Sequence, residues 1–386
     1  MKLSKRALDG LIYAAIVIFA LLFLYFGNKV AVRDLTVFDD DGDILTAEAK
    51  ITEIIGIVEN EHEWFSGTEI TFSAIVTKGE NKNETIIAQQ NLGGYAFDDY
   101  KIVEKGDKVI LMSYSEGDWY FVDYIRVSKI LFLGGVFIIL LLIFGRIKGV
   151  NAILTLGLTC TAIFAVFIPS ILSGKNIYSS TIIVCVYSIV VTLFIVYGVN
   201  QKSTAAIAGC FGGIITASIL TLVMNTGLGL TGYVSEESYH LLYLPVENPI
   251  DLRAIIFAGI IIGAVGAVMD VAVSIASALW ELKTQAPNLT FSGIFKSGIN
   301  IGKDIMGSMT NTLVLAYIGS SLSVILLLVV YAGSLAELLN RELIIVEILQ
   351  ALIGSLGILL TMPLTALVCA ALYTRKQKAI QEEIEP

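Results

Sequence analysis

The chain has 386 residues, of which 56% are hydrophobic and only 15% are charged, and its mean hydropathy is +0.80. This composition excludes a soluble globular protein and predicts a polytopic α-helical membrane protein, with the lipid bilayer as its first partner. The net charge of −9 argues against a nucleic-acid partner.

Eight apolar segments are predicted to cross the membrane, which takes about 20 residues for a ~30 Å hydrocarbon core; the second of them is short. They are residues 8–26, 130–144, 150–172, 179–199, 204–224, 253–280, 309–331 and 343–373. The first is predicted to be a retained anchor, because no small-residue cleavage site follows it. The predicted order is an anchor helix (1–30), a β domain (31–127), a seven-span helical domain (128–374) and a tail (375–386).

The β domain is predicted from a polar stretch between the first two spans. Residues 31–127 contain 20 acidic and 8 basic residues, so the acidity of the whole chain belongs to this stretch. Runs rich in β-branched and aromatic residues, separated by turn-forming residues, predict antiparallel strands near 69–77, 85–89, 108–114 and 119–126. A stretch of this length suits a small sandwich or an OB-like five-stranded barrel.

The orientation follows from lysine and arginine, which concentrate in cytoplasmic connections. Basic residues lie at the N-terminus, at every second connection and in the tail, whereas the other connections are poor in them. Both termini are therefore predicted to be cytoplasmic, and residues 31–127 extracytoplasmic.

Asp270 is the only charged residue in the apolar run 255–279. A carboxylate at mid-membrane costs roughly 2.5–3.5 kcal/mol on insertion scales, so its presence suggests a function. At 100° per residue, its helix face also carries three glycines towards one end and three polar residues towards the other. These are Gly259, Gly263 and Gly266, predicted to allow close helix packing, and Ser274, Ser277 and Glu281.

A second polar stripe is predicted on the next span. Asn300, Asp304, Ser308 and Asn311 follow helical spacing, and Thr312 lies beside them. With Glu281 and Asp304 placed near the inner boundary, Asn311 lies about 10 Å and Asp270 about 16 Å deeper.

The two stripes are predicted to meet in two layers. The inner layer contains the charges Glu281, Lys303 and Asp304, and the deeper cluster contains Asp270, Ser274, Ser308, Asn311 and Thr312. Oxygen-rich clusters of this kind suit H⁺, Na⁺ or a polar substrate. The structural alternative is a polar network that holds two helices in register.

Other features are read more simply. Gly209 and Gly213 are predicted to serve packing, and Pro363 to kink the last span. The glycine-rich segment 225–249 is either a re-entrant loop, a lid or a surface loop. Residues 297–304 lack the first glycine and the hydroxyl of a phosphate loop, which excludes a nucleotide site. The four cysteines lie in apolar spans and the two histidines outside them, so no metal site and no cofactor are expected.

Two motifs carry a family resemblance: GAVGAVMDVAVSIASALWEL, residues 263–282, and NIGKDIMGSMTNTLVLAYIG, residues 300–319. Through them the chain resembles the YibE/F-like membrane proteins of bacteria, over roughly residues 129–373. The resemblance implies a bacterial multi-pass protein of the plasma membrane, and it carries no catalytic residues over to this chain.

Two functions remain open. One is a secondary transporter or ion-coupled permease that uses the Asp270 cluster. The other is a non-transporting scaffold, sensor or assembly protein that binds a membrane or extracytoplasmic protein partner through its β domain. An enzyme is not expected, because the residues that precede Asp270 and Asp304, and the predicted depths of these two aspartates, differ from those of intramembrane aspartyl proteases.

Overall fold

The computed structural model describes residues 5–33, 45–62, 65–78, 82–93, 101–114, 118–244, 246 and 249–382. The chain forms two compact units, one of residues 38–144 and the other of residues 1–37 and 145–386. Each unit has its own hydrophobic core.

The first unit contains a closed five-stranded barrel. Its strands are β1 (Leu45–His62), β2 (Phe65–Lys78), β3 (Thr85–Gly93), β4 (Lys108–Ser113) and β5 (Trp119–Tyr124). They follow the order β1-β2-β3-β5-β4, and β4 pairs with β1 to close the barrel. All pairs are antiparallel except β3 with β5, which is parallel. This is the strand order of an OB-fold, so the barrel, and not the sandwich, is the form adopted.

Alternation of side chains builds the barrel interior. In β4, Val109 and Leu111 are buried while their neighbours point outwards. Phe72 of β2 is fully buried in the same core. The pairing of β1 with β2 shifts register at three places, and such bulges bend a long strand around a barrel.

One buried amide connects β3 to the segment before β4. Gln90 is 2% exposed, its Oε1 accepts from the N–H of Val103 at 3.0 Å, and its Nε2 donates to the carbonyl of Lys101 at 3.2 Å. Both ends of the amide are thereby satisfied inside the barrel.

The second unit is helical. Its helices, including one that begins in the first unit, are α1 (Lys5–Ala31), α2 (Val127–Ala162), a π-helical turn (Ile163–Phe167), α3 (Ile168–Leu172), α4 (Ile177–Tyr197), α5 (Gln201–Gly227), α6 (Glu236–Leu242), α7 (Leu252–Gln285), α8 (Phe291–Ser320), α9 (Leu322–Tyr331), α10 (Leu335–Asn340) and α11 (Glu342–Glu382).

The number of spanning helices differs from the eight predicted. Among the described residues, six helices are long and apolar enough to cross a membrane, or seven if α8 and α9 form one span. The predicted spans 130–144 and 150–172 fall in one stretch, Val127–Leu172, with non-helical backbone angles at Arg146. The predicted span 309–331 is bent by 66° between α8 and α9.

The helix α11 packs against α5, α7 and α8. Gly209 and Gly213 of α5 face Thr365 and Thr361 of α11: a Cβ added at either glycine would lie 1.9 Å from the facing threonine Oγ1. The predicted packing role of these two glycines is confirmed, because only glycine lets the two backbones approach this closely.

A second pair of glycines contacts the other side of α11. Added Cβ atoms at Gly298 and Gly302 of α8 would lie 2.6 Å from Ala366 and 2.1 Å from Met362. Pro363 lies inside α11 between these contacts. We call the two glycine pairs and the facing residues of α11 the glycine clasp.

The loop after α5 is fastened to the start of α11. The carboxylate of Glu342 accepts three hydrogen bonds: from the N–H of Thr231 (2.8 Å), from the hydroxyl of Thr231 (2.7 Å) and from the N–H of Gly232 (2.6 Å). Gly232 has a φ of +92°, and an added Cβ would lie 2.3 Å from Leu252, so only glycine fits there. Of the predicted alternatives for this segment, the contact with α11 favours a loop that lies over helix ends.

The helix α1 packs within the helical unit. Phe23 stacks on Tyr187 of α4, with ring centroids 4.3 Å apart. The hydroxyl of Ser173 donates to the carbonyl of Ala31, and the ammonium of Lys175 donates to the carbonyl of Val30. These two carbonyls at the end of α1, which have no partner within the helix, are thereby hydrogen-bonded.

Candidate functional site

Contacts between the helices fix the depth of the polar stripes. The apolar run 343–373 of α11 has its middle near Ile358. Gly357 lies beside Val268 of α7, and Gly302 of α8 lies beside Met362. Asp270 is two residues from Val268, and Asp304 is two residues from Gly302, so both carboxylates lie within about two helical turns of the middle of α11. Asp304 therefore lies near the level of the middle of α11 along the helix axis.

Asp270 projects from an exposed stripe of α7. Its carboxylate makes no hydrogen bond and no ion pair among the described residues, and the residue is exposed.

The glycine face of α7 is partly filled by neighbouring side chains. An added Cβ at Gly263 would lie 2.4 Å from the hydroxyl of Tyr317 of α8, and one at Gly259 would lie 3.5 Å from Gln350 Nε2 of α11. Gly266 has nothing within 4 Å of its added Cβ. The half of this face nearer the start of α7 therefore receives two polar groups, and the part next to Asp270 is open.

The polar stripe of α8 points away from the rest of the bundle. Asn300, Asp304, Ser308, Asn311 and Thr312 are all exposed. The hydroxyl of Ser308 donates to the carbonyl of Ile305 at 2.9 Å, and that of Thr312 to the carbonyl of Ser308 at 2.8 Å.

These hydroxyl bonds remain within α8, as is common for serine and threonine in helices. In the described part of the chain, no hydrogen bond joins this stripe to Asp270 or to the half-buried Ser274.

The inner layer of charges is also not joined by contacts. Glu281 Oε1 accepts from Gln285 Nε2 of its own helix at 3.0 Å. Lys303 and Asp304 are exposed neighbours on α8, and no ion pair among the described residues connects them with each other or with Glu281. Leu279, two residues before Glu281, lies beside Gly298, six residues before Asp304, so the structure places Glu281 and Asp304 at different depths and does not close the predicted residues into one cluster.

The sequence analysis missed three polar residues in the half of the bundle where α7 and α11 begin and α8 ends. The hydroxyl of Tyr317 is buried without a hydrogen-bond partner, beside Gly263. Tyr317 and Glu347 line a largely apolar cavity of about 380 Å³ between α8, α9, α10 and α11. Glu347 and Gln350 are three residues apart on α11, and this spacing in an apolar run was the signal that could have found them.

A comparison with protein-family models decides the family. The model described as YibE/F-like protein matches residues 133–375, well over half of the chain. The chain belongs to the YibE/F-like family. No curated protein and no solved structure matches it. The YibE/F-like region contains Asp270, the α8 stripe and the glycine clasp, whereas the barrel strands precede it.

Proposed function

We propose that this YibE/F-like protein is a secondary transporter or ion-coupled permease of the bacterial plasma membrane. The observation that supports the proposal most strongly is Asp270, a carboxylate at mid-depth in the helix bundle with neither a hydrogen bond nor an ion pair among the described residues. A charge left alone in that position is unfavourable, and binding of a proton or a cation relieves the cost.

The remaining polar residues are the candidates for the rest of the proposed site, which needs a rearrangement because the α8 stripe faces away from the bundle and makes no hydrogen bond to Asp270 among the described residues. Ser274 lies one turn from Asp270, and Asp304, Ser308, Asn311 and Thr312 offer oxygens at a similar depth on α8. Hydroxyl, amide and carboxylate oxygens are suitable ligands for Na⁺, and the carboxylates can also bind H⁺. Glu281 is proposed to attract the ion or substrate at the inner entrance, and Lys303 to act beside Asp304, farther along the path.

The proposal includes an orientation. We place both termini in the cytoplasm and the barrel outside it, because basic residues concentrate at the N-terminus, in alternate connections and in the tail. The substrate then moves between the side of the barrel and the side of the α7–α8 connection. No enzymatic step is assigned to these residues.

Thermal unfolding of the purified protein tests the role of Asp270. The melting temperature is measured from about pH 5 to about pH 9, with Na⁺ exchanged for K⁺ at constant ionic strength, for wild type and Asp270→Asn. A ligand that binds only the folded protein raises its stability, so wild type is expected to respond to pH or to one ion, and Asp270→Asn to lose that response. Asp9→Asn, which changes an exposed carboxylate of α1, is the matched control. An equal response of all three proteins would refute the proposed role.

One observation supports a second function, that of a scaffold or sensor that binds a protein partner. Ile55, Ile57 and Val58 of β1 are 54–55% exposed, and Ile87 of β3 is 59% exposed. Exposed apolar side chains on a small barrel suit contact with another protein. If the protein is a scaffold or sensor, replacing these four residues with serine is expected to abolish its function, whereas the Asp270→Asn variant stays active. If it is a transporter, the Asp270→Asn variant is expected to be inactive and the serine variant active.

A further inference from the structure

The polar stripe of α8 is exposed in a single copy of the chain, although it lies at mid-depth. Gly298 and Gly302 turn one side of α8 towards α11, and the opposite side carries Asn300, Asp304, Ser308 and Asn311. In the described residues, neither Asp304 nor Asn311 has a hydrogen-bond partner or an ion-pair partner for its side chain.

Lipid cannot cover this face without cost. Hydrocarbon offers no hydrogen bonds, so each unsatisfied polar group there is unfavourable, and an exposed carboxylate more so. Polar residues in spans accordingly face other helices or a water-filled cavity. The apolar side chains on the same side of α8, Leu315 and Ile318, are 57% and 46% exposed and lie beyond the polar stripe. The face thus has a polar part and an apolar part, as helix interfaces in membranes do.

We propose that a second copy of the chain covers this face, with α8 of one copy against α8 of the other around a two-fold axis. A two-fold contact requires a self-complementary surface, and the neighbouring opposite charges Lys303 and Asp304 provide one. Gly307 is exposed with nothing within 4 Å of its added Cβ, so the two backbones can approach closely there. Amide and hydroxyl groups at Ser308 and Asn311 then find partners across the axis.

The second copy also adds the oxygens of its own α8 stripe to those α8 residues that the proposed ion site includes. Within one copy, Asp304 and Asn311 are open to the outside of the bundle; at the interface, the same residues of both copies enclose a set of oxygens. This part of the inference rests on the proposed function, whereas the pairing itself does not depend on ion binding. Pairing is therefore measured by a test in which no ion is varied.

Cysteine cross-linking in native membranes tests the pairing in the full-length protein. Cys160 is exposed and is first replaced with serine; the other three cysteines are buried. Gly307→Cys is expected to give a covalent dimer with a short bifunctional maleimide. Ile215→Cys is the matched control, because Ile215 is 58% exposed on α5, two residues from Gly213 of the glycine clasp, and lies at similar depth.

Equal cross-linking in both variants would overturn the proposal, because random collision would explain it. If the Gly307→Cys variant gives no cross-link but is labelled rapidly by a water-soluble maleimide, the proposal is overturned in favour of an aqueous cavity.

A second variant tests the close approach. Gly307→Leu adds a side chain where a single copy has open space, so the folded monomer is expected to keep its melting temperature. The fraction of dimer in native mass spectrometry is expected to fall at least about tenfold, since a bulky residue at a close helix contact holds the backbones apart. Gly157 of α2 also has open space around its added Cβ, and Gly157→Leu is expected to leave the dimer unchanged. A dimer that persists in Gly307→Leu contradicts the α8 interface. A protein that stays dimeric but whose melting temperature no longer responds to ions would contradict only the proposed function.

Discussion

Replacement of Glu342 with alanine is expected to release the loop that follows α5 from the start of α11. The carboxylate accepts three hydrogen bonds from this loop, at 2.6, 2.7 and 2.8 Å, from Thr231 and Gly232. Hydrogen bonds to a charged group contribute about 1.5–3 kcal/mol each when they are protected from water.

The expected net effect is smaller, because Thr231 is exposed and water replaces part of what is lost there. We therefore expect about 2 kcal/mol for the local opening of the loop, which corresponds to a change of about 30-fold in its opening equilibrium.

Amide hydrogen exchange measures this opening directly. In Glu342→Ala, the amides of Thr231 and Gly232 are expected to exchange about 30-fold faster than in wild type. Glu337→Ala is the control: its carboxylate accepts from Gly333 and Arg341 and makes no contact with this loop among the described residues. Unchanged exchange at Thr231 and Gly232 in Glu342→Ala would refute the reasoning, as would equal acceleration in the control.

Three further outcomes are expected. Gly213→Ala should lower the melting temperature and cost about 1–3 kcal/mol, because the added Cβ would lie 1.9 Å from Thr361 Oγ1; unfolding in detergent measures it. Gln90→Leu should cost about 1–3 kcal/mol by leaving the buried N–H of Val103 unpaired, and faster exchange of that amide reports it. The barrel should lose stability in acid through Asp107. Burial raises the pKa of this carboxyl, but hydrogen bonds from Lys101 and a backbone N–H outweigh burial and hold the pKa below its ordinary value. Because the pKa of Asp107 is lower in the folded protein, its carboxylate stabilises the fold at any pH above its unfolded pKa of about 3.9. This contribution is lost as the pH falls through the folded pKa, so the free energy of unfolding, measured by urea titration, should fall below about pH 4.

Each of these outcomes has a control. Thr361→Ala removes the facing hydroxyl and should partly rescue Gly213→Ala, whereas no rescue would place the damage elsewhere. Gln90→Glu keeps an oxygen that can accept from the N–H of Val103, so this amide should exchange more slowly in Gln90→Glu than in Gln90→Leu. Asp107→Asn should flatten the acid dependence of the barrel, and an unchanged slope would assign the dependence to other carboxyls.

The barrel could be predicted from sequence only in part. The strands β2 to β5 follow the predicted runs closely, because β-branched and aromatic residues alternate between turn residues there. The strand β1 was missed, since its buried residues include the small Ala47 and Ala49 and its outward residues include Glu and Lys. Its pairing with both β2 and β4 is a long-range property that local composition does not contain.

The polar stripes of α7 and α8 follow helical periodicity, so their existence could be predicted. Their partners could not. The helix α8 has both a glycine side and a polar side, and periodicity does not say which one meets the bundle. Gly298 and Gly302 pack on α11, and this contact turns Asp304 and Asn311 outwards. The close fit of a particular pair of helices decided the arrangement of the site.

The glycine clasp also has a consequence for biogenesis. The helix α11 follows α5, α7 and α8 along the chain, yet it contacts all three. During synthesis the earlier helices enter the membrane before α11 has been made, so the glycine faces that pack on α11 are still without their partner. Helical segments can insert one after another, but the bundle can close only after residues 342–374 have left the ribosome. A translation pause before that point would therefore leave an inserted chain that has not yet assembled and is exposed to membrane proteases.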